Sequence, residues 1–195
     1  MAWRWRRRWR RPACSCNPER SPRGRVDAAP LIRYHSPMTW KTFAAEVGEQ
    51  PAPGFALPSH QGRTVRREDS RQKAPLVLYF GHNASCQACL AGLRWLAKRY
   101  AELREHEAEV LALLAEGTAG VQAVAQALAV PFPLLADAQG NAATAYVPLL
   151  GQPGPGLALL DRFGAPRAAY AGHIDDEVVD EALRWLALMS YECPE

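Results

Sequence analysis

Pro75-Leu76-Val77-Leu78-Tyr79-Phe80-Gly81-His82-Asn83-Ala84-Ser85-Cys86-Gln87-Ala88-Cys89 runs from an apolar stretch through a short polar loop into a Cys-x-x-Cys pair. Leu76 to Phe80 is continuously apolar, the pattern of a strand buried on both faces. Directly after the cysteines, Leu90, Leu93, Leu96, Ala97, Tyr100 and Leu103 recur at helical spacing, with Arg94, Lys98, Arg99 and Glu105 on the opposite face. A Cys-x-x-Cys at a strand-to-helix corner is the layout of a dithiol redox site. In the first turn of a helix the two Cα atoms lie about 5–6 Å apart, within disulfide reach. The first cysteine also falls where unpaired backbone N–H groups and the helix dipole favour a thiolate, the reactive form.

Outward from this corner the pattern alternates. Gly54 to Pro58 and Arg63 to Val65 read as two short strands joined by a turn at Ser59-His60-Gln61-Gly62, a hairpin. Residues 39–50 read as a short lead-in with one helical turn around Trp40 and Phe43, and Glu68 to Lys73 as a polar connection. Val110 to Leu114 is a second buried strand. Val121, Val124, Ala125 and Leu128 mark a helix, Phe132 to Leu135 an extended piece, and Asn141 to Tyr146 one or two helical turns. A Gly/Pro loop, Pro153 to Pro155, leads to a strand at Leu157 to Asp161, a turn, and a final edge strand at Pro166 to Tyr170. Val178, Val179, Ala182, Leu183, Leu186 and Met189 give a C-terminal helix. Alternating strands and helices closed by a hairpin imply an α/β fold with a mixed central sheet, helices on both faces and an N-terminal β-hairpin.

Charge divides the 195 residues differently. Residues 1–37 hold ten arginines against Glu19 and Asp27, a net +8, whereas residues 38–195 hold 13 basic and 18 acidic side chains, a net −5. The division is therefore a basic, disordered leader over 1–37 and one redox domain over 38–195. The composition changes at Met38, which also suits translation starting there. The leader lacks the apolar h-region of a secretory signal, and no run of about 18 apolar residues suggests a membrane span. The acidic domain gives no reason to expect nucleic-acid binding. Without an export signal a cytoplasmic, reducing location is expected, where Cys86 and Cys89 read as catalytic rather than as a structural staple.

With these elements in place, the chain resembles the thioredoxin superfamily, and within it the redoxin branch often called AhpC/TSA. Three segments carry the likeness: Ala52-Pro53-Gly54-Phe55-Ala56-Leu57-Pro58 with Gly62-Arg63; Leu76 to Cys89; and Pro131-Phe132-Pro133-Leu134-Leu135-Ala136-Asp137 with Gly140 and Ala145-Tyr146. The resemblance spans roughly residues 50–190 and implies a thioredoxin-like fold. It has two departures. Typical peroxiredoxins place a proline and a Thr/Ser hydroxyl ahead of the peroxide-attacking cysteine, and here those positions are Tyr79 and Asn83. Where peroxiredoxins carry an arginine before the strand ending in Asp161, this chain has Pro155, the place at which thioredoxin-like oxidoreductases carry a cis-proline facing the dithiol. Both departures imply disulfide exchange rather than peroxide reduction.

The expected function is thiol–disulfide exchange, with Cys86 as nucleophile, Cys89 as resolving thiol, and Pro155, Asn83 and His82 in support. His82, four residues before Cys86, could stabilise the thiolate or move a proton, or simply be a solvent-exposed loop residue. The substrate is a disulfide or a hydroperoxide, the reductant a dithiol of the thioredoxin or glutathione type, and no bound cofactor is required. Two alternatives remain: a thiol-dependent peroxidase using Cys86, and a non-catalytic binding protein on the same fold. A structural zinc site is not expected, because His106, His173 and Cys193, the only later Cys or His residues, form no second ligand pair.

Overall fold

The computed structural model describes residues 40–43 and 50–191. The expectations for residues 1–37, for most of the lead-in and for Cys193 lie outside the described residues.

Six strands form the central sheet: β1 (Trp40–Thr42), β4 (Leu76–Gly81), β5 (Glu109–Leu114), β6 (Leu134–Ala136), β7 (Gly156–Leu160) and β8 (Pro166–Ala171). Their order is β1-β8-β7-β4-β5-β6. The β4, β5 and β6 strands are parallel; β7, β8 and β1 add antiparallel neighbours. The sheet is therefore mixed, as the alternating pattern implies. A separate hairpin of β2 (Ala56–Pro58) and β3 (Thr64–Arg66) sits against the β6 edge through a Ser59–Leu135 bridge.

β4 is buried along its whole length because alternate side chains feed two cores. Val77 and Tyr79 join Leu93 and Leu96 of α1 (Gln87–Lys98), Leu103 of α2 (Tyr100–Glu105), Val121 and Val124 of α3 (Thr118–Leu128), and Val178, Ala182 and Leu186 of α5 (Asp176–Tyr191). Leu76, Leu78 and Phe80 face the other way, onto Ala142, Tyr146 and Leu150 of α4 (Asn141–Leu150) and onto Val65 of the hairpin. Helices thus cover both faces. Among the described residues no helix is long and apolar enough to cross a membrane.

Three local expectations need correction. Trp40–Thr42 is a strand rather than a helical turn: Trp40 pairs with Tyr170, their ring centroids 5.5 Å apart. This cross-strand aromatic contact stabilises a segment too short to show a period. In consequence β8 is an inner strand and not an edge. The helix expected to run from the cysteines through Leu103 breaks at Arg99, whose φ of −99° and ψ of 11° end α1 before α2 begins. The Arg99 guanidinium there bonds Glu102, Asp176 and Asp180, tying the break to α5. Finally, part of the polar connection, Arg67–Ser70, is a short 3₁₀ turn, with the Arg66 N–H donating to Asp69 Oδ2.

Candidate active site

β4 delivers the chain to the corner. After Gly81 the loop turns on its own backbone and side chains: Asn83 Oδ1 accepts from the Ser85 N–H at 3.1 Å and from Ser85 Oγ at 2.8 Å, while the Cys86 N–H donates to the Asn83 carbonyl at 3.2 Å. Two further bonds anchor the loop to the chain beyond β5. The Ala84 N–H donates to Glu116 Oε1 at 2.9 Å and the Ala115 N–H to the His82 carbonyl at 2.6 Å. Cys86 is the N-cap of α1, and its carbonyl accepts the first helical bond, from the Leu90 N–H at 3.0 Å.

Both thiols are free; Cys86 is half-buried and Cys89 is fully buried. His82, on the exposed side, turns its ring to both of them. Its Nδ1 is 3.8 Å from Cys86 Sγ and 3.7 Å from Cys89 Sγ, and its backbone N–H donates to Cys89 Sγ at 3.2 Å. Below the pair, the buried Tyr79 hydroxyl donates to the Cys89 carbonyl at 3.0 Å.

These surroundings split the two thiols. The Cys86 pKa falls from the ordinary 9.0 to about 7, chiefly because the Cys89 thiol stabilises its thiolate, with His82 second. The Cys89 pKa rises to about 11, chiefly through burial and then through the neighbouring Cys86 sulfur. Burial also pushes the Tyr79 hydroxyl up, with the Cys89 thiol adding to it. Near neutral pH a large share of the more accessible Cys86 is thiolate while the buried Cys89 holds its proton, so the pair can present a nucleophile and a second thiol poised behind it.

Of the residues singled out from sequence, the structure brings His82, Cys86 and Cys89 together. Asn83 is exposed, and its side-chain oxygen is directed to Ser85, so it shapes the loop. Pro155 requires a correction. Among the described residues there is no cis peptide bond, and Gly154–Pro155 is trans, the isomer that X–Pro bonds favour by about 0.5–1 kcal/mol. The turn here comes instead from Gly154, at φ +128°, a region that glycine enters without strain. The Pro155 carbonyl accepts from the Gly172 N–H at 2.8 Å and so leads into the β7–β8 pairing. The loop still borders the site, since a Cβ placed on Gly154 would lie 3.5 Å from His82 Nε2. The argument from a cis-proline for disulfide exchange is lost.

Sequence reasoning missed Glu116 and Tyr79 as parts of the site. Tyr79 sat inside an apolar run and read as core, which it also is; its hydroxyl at the helix start has no sequence signature. His173 is exposed just beyond β8.

Comparison with known proteins agrees with this architecture. The model of the AhpC/TSA family matches residues 48–165, more than half of the chain. No curated protein matches. Among solved structures, the chain is similar to the peroxidoxin BcpB of Mycobacterium tuberculosis, at 22% identity and a TM-score of 0.63, over 71% of this chain and 95% of that one. It is similar in fold to a reduced 2-Cys peroxiredoxin of Plasmodium vivax, at 19% identity and a TM-score of 0.62, over 75% and 97%. A chain described as the thiol:disulfide interchange protein DsbE of Chlorobium tepidum matches at 25% identity and a TM-score of 0.59, over 71% and 94%. The fold is thus the thioredoxin-like one of the redoxin branch.

Proposed function

Because the chain belongs to the AhpC/TSA family, we propose that it is a thiol–disulfide oxidoreductase working through Cys86 and Cys89. The observation that carries this reading is the opposed tuning of two free thiols on one helical turn: Cys86 accessible and lowered to about 7, Cys89 buried and raised to about 11. In the reaction the Cys86 thiolate attacks one sulfur of a substrate disulfide. A Cys86–substrate disulfide forms and the other substrate half leaves as thiolate. His82 Nδ1 gives its proton to the departing substrate thiolate and is then free to take the proton of Cys89, 3.7 Å away, as Cys89 attacks Cys86 Sγ. That closes the Cys86–Cys89 disulfide and releases the second substrate thiolate. The substrate gains two electrons, and an external dithiol of the thioredoxin or glutathione type restores the pair. A cytoplasmic, reducing setting suits a pair that must be reset by such a donor.

A second reading, peroxide reduction by Cys86, is favoured by the peroxiredoxin names of two similar folds. Against it stands the position ahead of Cys86 where the family carries a Thr/Ser hydroxyl: it is Asn83, whose Oδ1 accepts from Ser85. Reduction of insulin disulfides by dithiol donor, set beside hydrogen peroxide consumption under the same conditions, separates the two. Faster turnover of the disulfide supports the proposal, and faster turnover of peroxide overturns it. Turnover of neither would point to a non-catalytic binding protein.

A further inference from the structure

His82 Nδ1, Cys86 Sγ and Cys89 Sγ all lie within 4.8 Å of one another, and among the described residues this is a group of three potential metal ligands. Counting cysteine pairs along the sequence gave two ligands. The third comes from the loop histidine turning its Nδ1 onto both sulfurs, at 3.8 and 3.7 Å. An ion bonded at about 2.3 Å to sulfur and about 2.0–2.1 Å to imidazole nitrogen, with angles of about 110–120°, sets each nitrogen–sulfur separation at about 3.6–3.8 Å. The two nitrogen–sulfur edges therefore already have the length that a shared ion would impose.

We infer that the reduced site binds one soft d10 cation, Cu⁺ or Zn²⁺, through His82 Nδ1, Cys86 Sγ and Cys89 Sγ, with a coordination position left open. Two thiolates and an imidazole select such ions over Mg²⁺ or Ca²⁺, which take oxygen ligands. The backbone supplies an outer contact of the kind metal thiolates use: the His82 N–H donates to Cys89 Sγ at 3.2 Å. Access is graded in the right sense, because His82 is exposed, Cys86 half-buried and Cys89 buried. An ion can arrive from the solvent side and meet the buried sulfur last. Binding displaces the thiol protons and occupies both sulfurs, so the metal-bound and disulfide forms exclude each other. The inference needs the reduced pair that the proposed function also uses, but not the reaction assigned to it.

The test uses the full chain, reduced and handled without oxygen. Cu⁺ and Zn²⁺ are offered in separate titrations against a chromophoric chelator, stoichiometry is read by native mass spectrometry, and the ligand shell by X-ray absorption. Expected is one equivalent of either ion, a shell of two sulfurs and one nitrogen, and protection of both cysteines from alkylation. His82→Ala should weaken binding at least tenfold and leave only sulfur from the protein in the shell, with its fold checked by circular dichroism. Cys89→Ser should remove binding at chelator-competitive strength. Failure of both ions to leave the chelator, or equal affinity in His82→Ala, overturns the inference. A disulfide titration of metal-free protein from the same batch reports on the redox reading separately, so either can fail without the other.

Discussion

His82 Nδ1 faces both sulfurs of the pair, 3.8 Å from Cys86 Sγ and 3.7 Å from Cys89 Sγ. The one nitrogen can favour the anion on Cys86 when it carries a proton, and receive the Cys89 proton once it has lost it. Cys86 is at the helix N-cap and Cys89 is three residues on, inside the first turn. The roles of nucleophile and resolving thiol follow from which of them substrate can reach.

Cys86→Ser should therefore abolish disulfide reduction, while Cys89→Ser should still attack but stall. The stalled species is a mixed disulfide between Cys86 and substrate, visible as added mass under non-reducing conditions. Retention of full insulin reduction by Cys86→Ser would remove Cys86 from the nucleophile's role.

The pH dependence has a definite sign. Attack needs the thiolate, so the rate follows the deprotonated fraction, small below the pKa and level above it. With the Cys86 pKa lowered to about 7, alkylation of Cys86 should rise through neutral pH. In His82→Ala the second contributor to that lowering is gone, and the rise should move to higher pH. Peptide-resolved iodoacetamide kinetics across pH measure both. A wild-type midpoint at the ordinary value of 9.0 would contradict the tuning.

Much of this was legible in the sequence, and the parts that were not have physical reasons. Leu76 to Phe80 announced a strand buried on both faces because both cores draw on it, and Cys86 and Cys89 announced their corner by spacing and by the helical period behind them. Trp40–Thr42 does not show as a strand in the sequence because three residues carry no period and its pairing with β8 is a tertiary contact. Arg99 ends α1 inside an unbroken apolar stripe, with partners on α5 remote in sequence. The ring orientation of His82 depends on the loop's bonds to Ala115 and Glu116, which residue spacing does not encode. Pro155 was placed by likeness to relatives, and the backbone at Gly154 turns without the isomer that likeness implied.

Gly156 opens β7 where β8 passes closely. A Cβ there would meet the Tyr170 carbonyl oxygen at 2.5 Å and Leu150 Cδ2 at 3.0 Å. Backbone in a paired strand yields little, so Gly156→Ala should destabilise the fold by about 1–3 kcal/mol, the usual cost of overpacking. Urea denaturation reads this as a lower midpoint at unchanged slope. An unchanged midpoint would mean that the β7–β8 pairing is looser than described.

Peroxidase activity should be weak. Asn83, whose Oδ1 accepts from Ser85, stands where the family carries a Thr/Ser hydroxyl, and O–O cleavage without that hydroxyl lacks the polar support that speeds it. Stopped-flow oxidation of reduced protein by hydrogen peroxide should run near the rate of an ordinary thiolate. A rate orders of magnitude above that would promote the peroxidase reading.

The central claim is that Cys86 and Cys89 form one redox couple. Its most direct test equilibrates the protein against graded thiol–disulfide buffers, blocks free thiols by alkylation, and counts the modification of each cysteine by mass spectrometry. The account predicts that both cysteines lose reactivity together, in a single two-electron transition, with a Cys86–Cys89 disulfide as the product. Cysteines that stay alkylatable in oxidising buffer, or that titrate independently as separate mixed disulfides, would contradict it.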